Sequence, residues 1–125
     1  AGVSPDGSST FFLPRLVGHV KAMQLILMND LLTAGQAKEW GLVNEVVADA
    51  ELMERVMTVA KQLANGATMA YGEAKRLIAD SFSNTLETQM ELETRAISGL
   101  ARHSEDARNA IHAFANKQKA EFKGR

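Results

Sequence analysis

A chain of 125 residues, 46% of them apolar, suffices for one compact domain or part of one and not for two. Fourteen Lys and Arg against fifteen Asp and Glu give a net charge of −1, which excludes the basic face that a dedicated nucleic-acid binder needs for phosphate neutralisation. With no cysteine there is no disulfide framework, thiolate nucleophile or Cys-ligated metal site, and no apolar run approaches the ~18 to 20 residues of a membrane span.

Within the apolar set the helix formers Ala, Leu and Met far outnumber the β-branched and aromatic residues, so a mostly α chain is expected. Residues 1–9, AGVSPDGSS, are turn chemistry and lack the basic-then-apolar pattern of a secretory signal; a soluble, cytoplasmic protein is expected. Residues 10–18 predict a short helix ended by Gly18 and kinked or split by Pro14. His19 to Asn29 sets Val20, Met23 and Leu27 on one face, with Ala22, Leu25 and Ile26 beside it, which suits a buried helix. Thr33 caps a helix of about two turns that Gly41 ends, and Leu42 to Val47 is the one β-like run, isolated and unable to make a sheet.

Asp49 is expected to cap a helix to about Asn65 with Leu52, Val56, Val59, Ala60 and Leu63 inward, and a further helix runs from about Ala67 to Asp80. Asn84 or Thr85 opens a long helix to about Arg102, its acidic first half matching the helix dipole. Ser104, followed by Glu105 and Asp106, caps a last helix to about Lys117, leaving a basic tail from Lys119 to Arg125. His19, His103 and His112 share no ligand spacing, so no metal is expected. Trp40 and the methionines 23, 28, 53 and 57 are read as packing residues.

Three stretches carry a resemblance. Gly2 to Gly18 with Ala22-Met23 and Leu25 resembles G-x-x-P-D-x-G-x-x-x-x-L-P-R-x-x-G followed by A-M-x-L, a pattern of the enoyl-CoA hydratase/isomerase (crotonase) superfamily. Ala34 to Val47 is similar to that family's A-x-x-A-x-x-W-G-L-V-x-x-V-V, and Ala74-Lys75 to its A-K helix. Ser104 to Arg108, Ala113-Phe114 with Lys117, and Phe122-Lys123-Gly124 resemble its ending D-x-R-E-G-x-x-A-F-x-x-K-R-x-P-x-F-x-G. Asn109-Ala110 replaces Glu-Gly there, and Gln118 and Ala120 replace Arg and Pro.

The resemblance implies the C-terminal helical portion of a crotonase fold, without the N-terminal ββα spiral that supplies the oxyanion hole. On that basis residues 1–48 close the spiral core and carry an active-site turn, and residues 49–125 are a helical oligomerisation region. Moving a double bond in an acyl-CoA takes one carboxylate that removes a proton and returns it two carbons away, while an oxyanion hole holds the enolate. Asp6 stands where the resembled isomerases, notably the phenylacetate-pathway type, carry their catalytic aspartate. Read without the resemblance, Pro5-Asp6-Gly7-Ser8 is a turn whose Asp caps the following helix.

Lys117, with Phe114 one turn before it, matches a lysine that in the resembled enzymes reaches a CoA phosphate from a neighbouring subunit; read without the resemblance, Lys117, Lys119 and Lys123 are a solvated basic tail. The implied activity is Δ3,Δ2-enoyl-CoA isomerisation on an acyl-CoA substrate. Hydratase is the alternative, and the chain by itself is also readable as an inactive helical assembly module. No cofactor is implied, since coenzyme A is part of the substrate. The parent is expected as a homo-oligomer, trimer or hexamer, and a fragment is expected to expose apolar surface and self-associate, with no nucleic-acid or membrane partner.

Overall fold

The structure, a computed structural model, describes residues 2–125. Among these residues seven α-helices follow one another: α1 (Ser9–Val17), α2 (His19–Met28), α3 (Ala34–Glu39), α4 (Leu52–Ala64), α5 (Thr68–Asp80), α6 (Leu86–His103) and α7 (Glu105–Ala115). They fall into two compact units, one ending at Leu52 and the other comprising Met53–Arg125.

In the first unit α1 packs on α2 through a single-residue joint. Gly18 ends α1 and starts α2 at φ 81 and ψ 162, a conformation open essentially to glycine alone. Its N–H donates to the Pro14 carbonyl at 3.0 Å, and its own carbonyl accepts the Ala22 N–H at 3.1 Å. Pro14 lies inside α1 without splitting it, contrary to one expectation from sequence. Ala22 is the buried residue of α2, while Val20, Met23 and Leu27 are exposed, so the apolar stripe of α2 is not buried within this chain.

Thr33 and Gln36 form a reciprocal cap for α3: the Gln36 N–H donates to Thr33 Oγ1 at 3.2 Å and the Thr33 N–H to Gln36 Oε1 at 3.0 Å. Gly41, at φ 76, closes the other end, with its N–H on the Lys38 carbonyl and the Leu42 N–H on the Ala37 carbonyl. Lys21 Nζ stands 4.7 Å from the centre of the Trp40 ring at the end of α3, a cation–π contact between α2 and α3.

Among the described residues no strand forms, and Leu42 to Val47 is irregular. β-propensity expresses packing against neighbouring strands, and this run has none. Asp49 does not cap a helix: Asp49–Glu51 is a 3-10 turn with Ala48 before it and no side-chain cap bond, and α4 starts at Leu52. The acidic groups of Asp49 and Glu51 act instead on the positive end of the helix.

In the second unit α5 packs on α6 and α6 on α7. Gln89 reaches from α6 to donate to the Leu77 carbonyl at 3.0 Å and accepts from Asn84 Nδ2 at 3.0 Å, which fixes the turn between α5 and α6. Thr85 caps α6 through the Thr88 N–H, and Ser104 caps α7 through the Ala107 N–H. Leu52, Val56 and Leu63 of α4, expected inward, are about half exposed, and Leu86, Met90 and Ile97 of α6 are more exposed still. No described helix is long and apolar enough to cross a membrane.

Candidate functional site

The turn before α1 settles what Asp6 is free to do. Gly7 and Ser8 both take left-handed backbone conformations, φ 59 and φ 60. Ser8 occupies the N-cap position of α1 without a side-chain cap bond, and it stands where the quoted motif has glycine. The start of the helix is held by the main-chain oxygen of Asp6, which accepts the Ser9 N–H at 3.1 Å and the Ser9 hydroxyl at 2.7 Å. The Asp6 carboxylate is therefore not the helix cap that the turn sequence suggests. Among the described residues it takes no hydrogen bond or ion pair, and the residue is exposed.

Asp6 lines an open hollow of about 770 Å³, together with Pro5, Leu13, Leu25, Ile26 and Asn29. Leu13 comes from α1 and Leu25 and Ile26 from α2, so the Gly18 joint between those helices sets the far wall. The hollow is open and its lining is polar and apolar in similar measure, with the Asp6 carboxylate beside the aliphatic side chains of Leu13, Leu25 and Ile26.

Phe114 and Lys117 lie in the second unit, at the C-terminal end of α7. The Lys117 N–H donates to the Phe114 carbonyl at 3.1 Å and the Gln118 N–H to the Ala113 carbonyl at 2.8 Å, which closes the helix with Lys117 in the left-handed region, φ 54. Glycine is the residue that adopts this position without strain. Both side chains are exposed, Phe114 at 86%. Asp6 belongs to the first unit.

From sequence, Asp106 belongs to the acidic first turn of α7 and to the family-like ending, with no partner assigned, and Lys119 to Arg125 is a basic tail. The tail is in fact tied down. Asp106 is 2% exposed; its Oδ1 accepts the Lys123 N–H and its Oδ2 the Gly124 N–H, both at 2.7 Å. The Asp106 N–H donates to the main-chain oxygen of Arg125 at 2.9 Å, as does the Ser104 hydroxyl at 3.2 Å, and Arg125 pairs with Glu105 at 3.0 Å. The Lys123 N–H above all, with Gly124 and Arg125 adding to it, holds the Asp106 carboxyl below its ordinary 3.8 against the opposing effect of burial. The signal in sequence was the pairing of Ser104-x-Asp106 with Phe122-x-Gly124, which composition and periodicity do not connect.

Among the described residues no group of three or more His, Asp or Glu is placed to hold a metal ion. His19, His103 and His112 lie on α2, α6 and α7.

Comparison with known proteins gives a consistent answer. Residues 1–125 match the family model described as enoyl-CoA hydratase/isomerase. Over 124 residues the chain is 39% identical to 1,2-epoxyphenylacetyl-CoA isomerase of Escherichia coli K12, covering 99% of this chain and 47% of that protein. Over 102 residues it is 40% identical to 4-chlorobenzoyl coenzyme A dehalogenase-1 of an Arthrobacter species, covering 82% and 37%. A crystal structure assigned to the enoyl-CoA hydratase/isomerase class, from Mycobacterium abscessus, superposes with a TM-score of 0.91 at 35% identity, over 99% of this chain and 47% of that one. The chain spans about half the length of the curated relatives it matches. Match along the whole chain, in sequence and in helical architecture, shows that it belongs to the enoyl-CoA hydratase/isomerase family, with the helical architecture of the C-terminal portion of a crotonase fold.

Proposed function

We propose that this chain supplies the proton-shuttling carboxylate and the CoA-phosphate contact of a Δ3,Δ2-enoyl-CoA isomerase. The observation that carries the reading is the Asp6 carboxylate, left unbonded in an open hollow beside Leu13, Leu25 and Ile26 while its main-chain oxygen starts α1.

In the proposed reaction Asp6 removes a proton from C2 of a 3-enoyl thioester. The electrons of the C2–H bond delocalise onto the thioester oxygen, where main-chain donors stabilise the dienolate. The same carboxyl then returns the proton at C4, leaving the double bond between C2 and C3. One group serves both steps because C2 and C4 lie on one side of the extended chain.

Lys117 supplies a point charge for a CoA phosphate and Phe114 an exposed ring beside it. Coenzyme A enters as part of the substrate, and no separate cofactor is invoked. Large apolar side chains left exposed on α2 and α4, Leu27, Met28, Met53 and Met57 among them, support a homo-oligomer, which the reading takes as a trimer or hexamer of a cytoplasmic enzyme.

The test uses the assembled enzyme that contains this chain. A 3-enoyl-CoA becomes a conjugated 2-enoyl-CoA, followed by ultraviolet absorbance, and Asp6→Asn lowers kcat by about 10² to 10⁴-fold. Full activity in that variant overturns the assignment of the base. Water addition to 2-enoyl-CoA, with no double-bond migration, makes the enzyme a hydratase instead.

A further inference from the structure

The segment after α7 is a closed loop. Its start is fixed by the left-handed turn at Lys117, with the Gln118 N–H on the Ala113 carbonyl. Its end is fixed at the opposite end of the same helix, where Asp106 holds the N–H groups of Lys123 and Gly124 and where the Asp106 N–H and the Ser104 hydroxyl meet the main-chain oxygen of Arg125. Between these points Phe122 enters an apolar cavity of about 220 Å³ with Met69, Leu100 and Ala110. Helix α7 has 11 residues and is about 16 Å long, so the chain travels the length of the helix and is returned to its beginning.

The loop displays cations. Lys117, Lys119 and Lys123 lie on it and are exposed, and none of the three side chains is spent on its attachments, which are main-chain groups held by the buried Asp106 and Ser104, at 2% and 1% exposure, and the Arg125–Glu105 pair. A free ten-residue tail wanders over roughly 17 Å, and every binding event has to immobilise it. Fastened at both ends, the same lysines keep their positions before a ligand arrives.

We infer that Asp106 is a positioning residue for the CoA end of the substrate: by clamping the main chain at Lys123 and Gly124 it holds Lys119 and Lys123 in place for the phosphates, beside Lys117, which the end of α7 already fixes. The inference rests on the proposed reading of Lys117 as a phosphate contact. It makes Asp106 act on affinity for the phosphorylated handle and not on the chemistry at the acyl group.

The assembled enzyme is assayed with one acyl group on two carriers, coenzyme A and pantetheine, the second lacking the nucleotide and its phosphates. Asp106→Asn keeps the shape but presents an NH₂ group to one of the two N–H donors, and raises KM for the CoA thioester about tenfold while KM for the pantetheine thioester stays as it was. Gly124→Ala reaches the clamp from the other side: Gly124 has φ 74, and a Cβ there lies 3.1 Å from Thr68 Oγ1, so the tail is displaced with Asp106 intact. The same KM pattern is expected from it.

A rise in KM of equal size on both carriers, or no rise on either, overturns the inference and leaves Asp106 a structural residue. Lys117→Ala separates the two levels. If it collapses the KM difference between carriers and the two clamp variants do not, only the positioning role fails. If Lys117→Ala leaves the difference intact, the phosphate reading itself fails and the inference with it.

Discussion

Lys123 gives its main-chain N–H to Asp106 Oδ1 at 2.7 Å, across a separation of 17 residues, and so joins the last described segment of the chain to the first turn of α7. The neighbouring Gly124 N–H takes the other carboxylate oxygen. Both oxygens are charge-assisted acceptors in a buried position, which makes the junction depend on the ionisation of one side chain.

That dependence has a sign. The Lys123 N–H is the largest cause holding the Asp106 carboxyl below 3.8, so its contribution to stability is complete above 3.8 and is lost as pH falls through the lower folded-state value. Amide hydrogen exchange at Lys123 and Gly124 is therefore expected to be slow at neutral pH. Protection at these two amides should fall relative to that of the α6 core when the protein is acidified below 3.8. Protection that is unchanged there excludes the ionised carboxylate as the clamp.

Gly18→Ala tests the joint between α1 and α2. Nothing lies within 4 Å of the Cβ it would add, so the cost is that of the backbone conformation, about 1 to 3 kcal/mol of unfolding free energy. Denaturant unfolding measures it. Because the same joint places Leu13 against Leu25 and Ile26, the variant is also expected to weaken substrate binding; a neutral effect on stability would mean that the joint tolerates an ordinary φ.

Lys117 and Ser8 are two residues other than glycine that hold left-handed backbone conformations, φ 54 and φ 60. Lys117→Gly and Ser8→Gly should each raise stability by up to about 1 kcal/mol, the relief of Cβ strain being partly offset by the added freedom of the unfolded chain. The two differ in function. Ser8→Gly leaves KM for the acyl-CoA unchanged, whereas Lys117→Gly raises it, so that at Lys117 stability and binding move in opposite directions.

Loss of the Asp6 carboxylate is expected to act on turnover with little effect on folding, since the main-chain oxygen, not the side chain, holds α1. Asp6→Asn should therefore unfold at the same denaturant midpoint, within about 0.5 kcal/mol, as a surface substitution does. A larger loss of stability would show that the carboxylate has a structural duty.

The sequence by itself determined the helices and most of their ends. Thr33, Thr85 and Ser104 cap α3, α6 and α7 through bonds that span three residues, and Gly18 and Gly41 act through their own φ; such short-range effects are complete within a few residues of chain. The family motifs were legible for a related reason, being runs of neighbouring residues. Tertiary structure decided the rest. Leu42 to Val47 stayed irregular because a strand needs a partner, and the apolar faces of α2 and α4 stayed exposed because burial depends on what lies opposite. Whether Asp6 used its carboxylate or its main-chain oxygen to start α1 turned on the left-handed backbone at Gly7 and Ser8. The role of Asp106 turned on groups 17 and 18 residues away, which only the return of the chain along α7 brings within 2.7 Å.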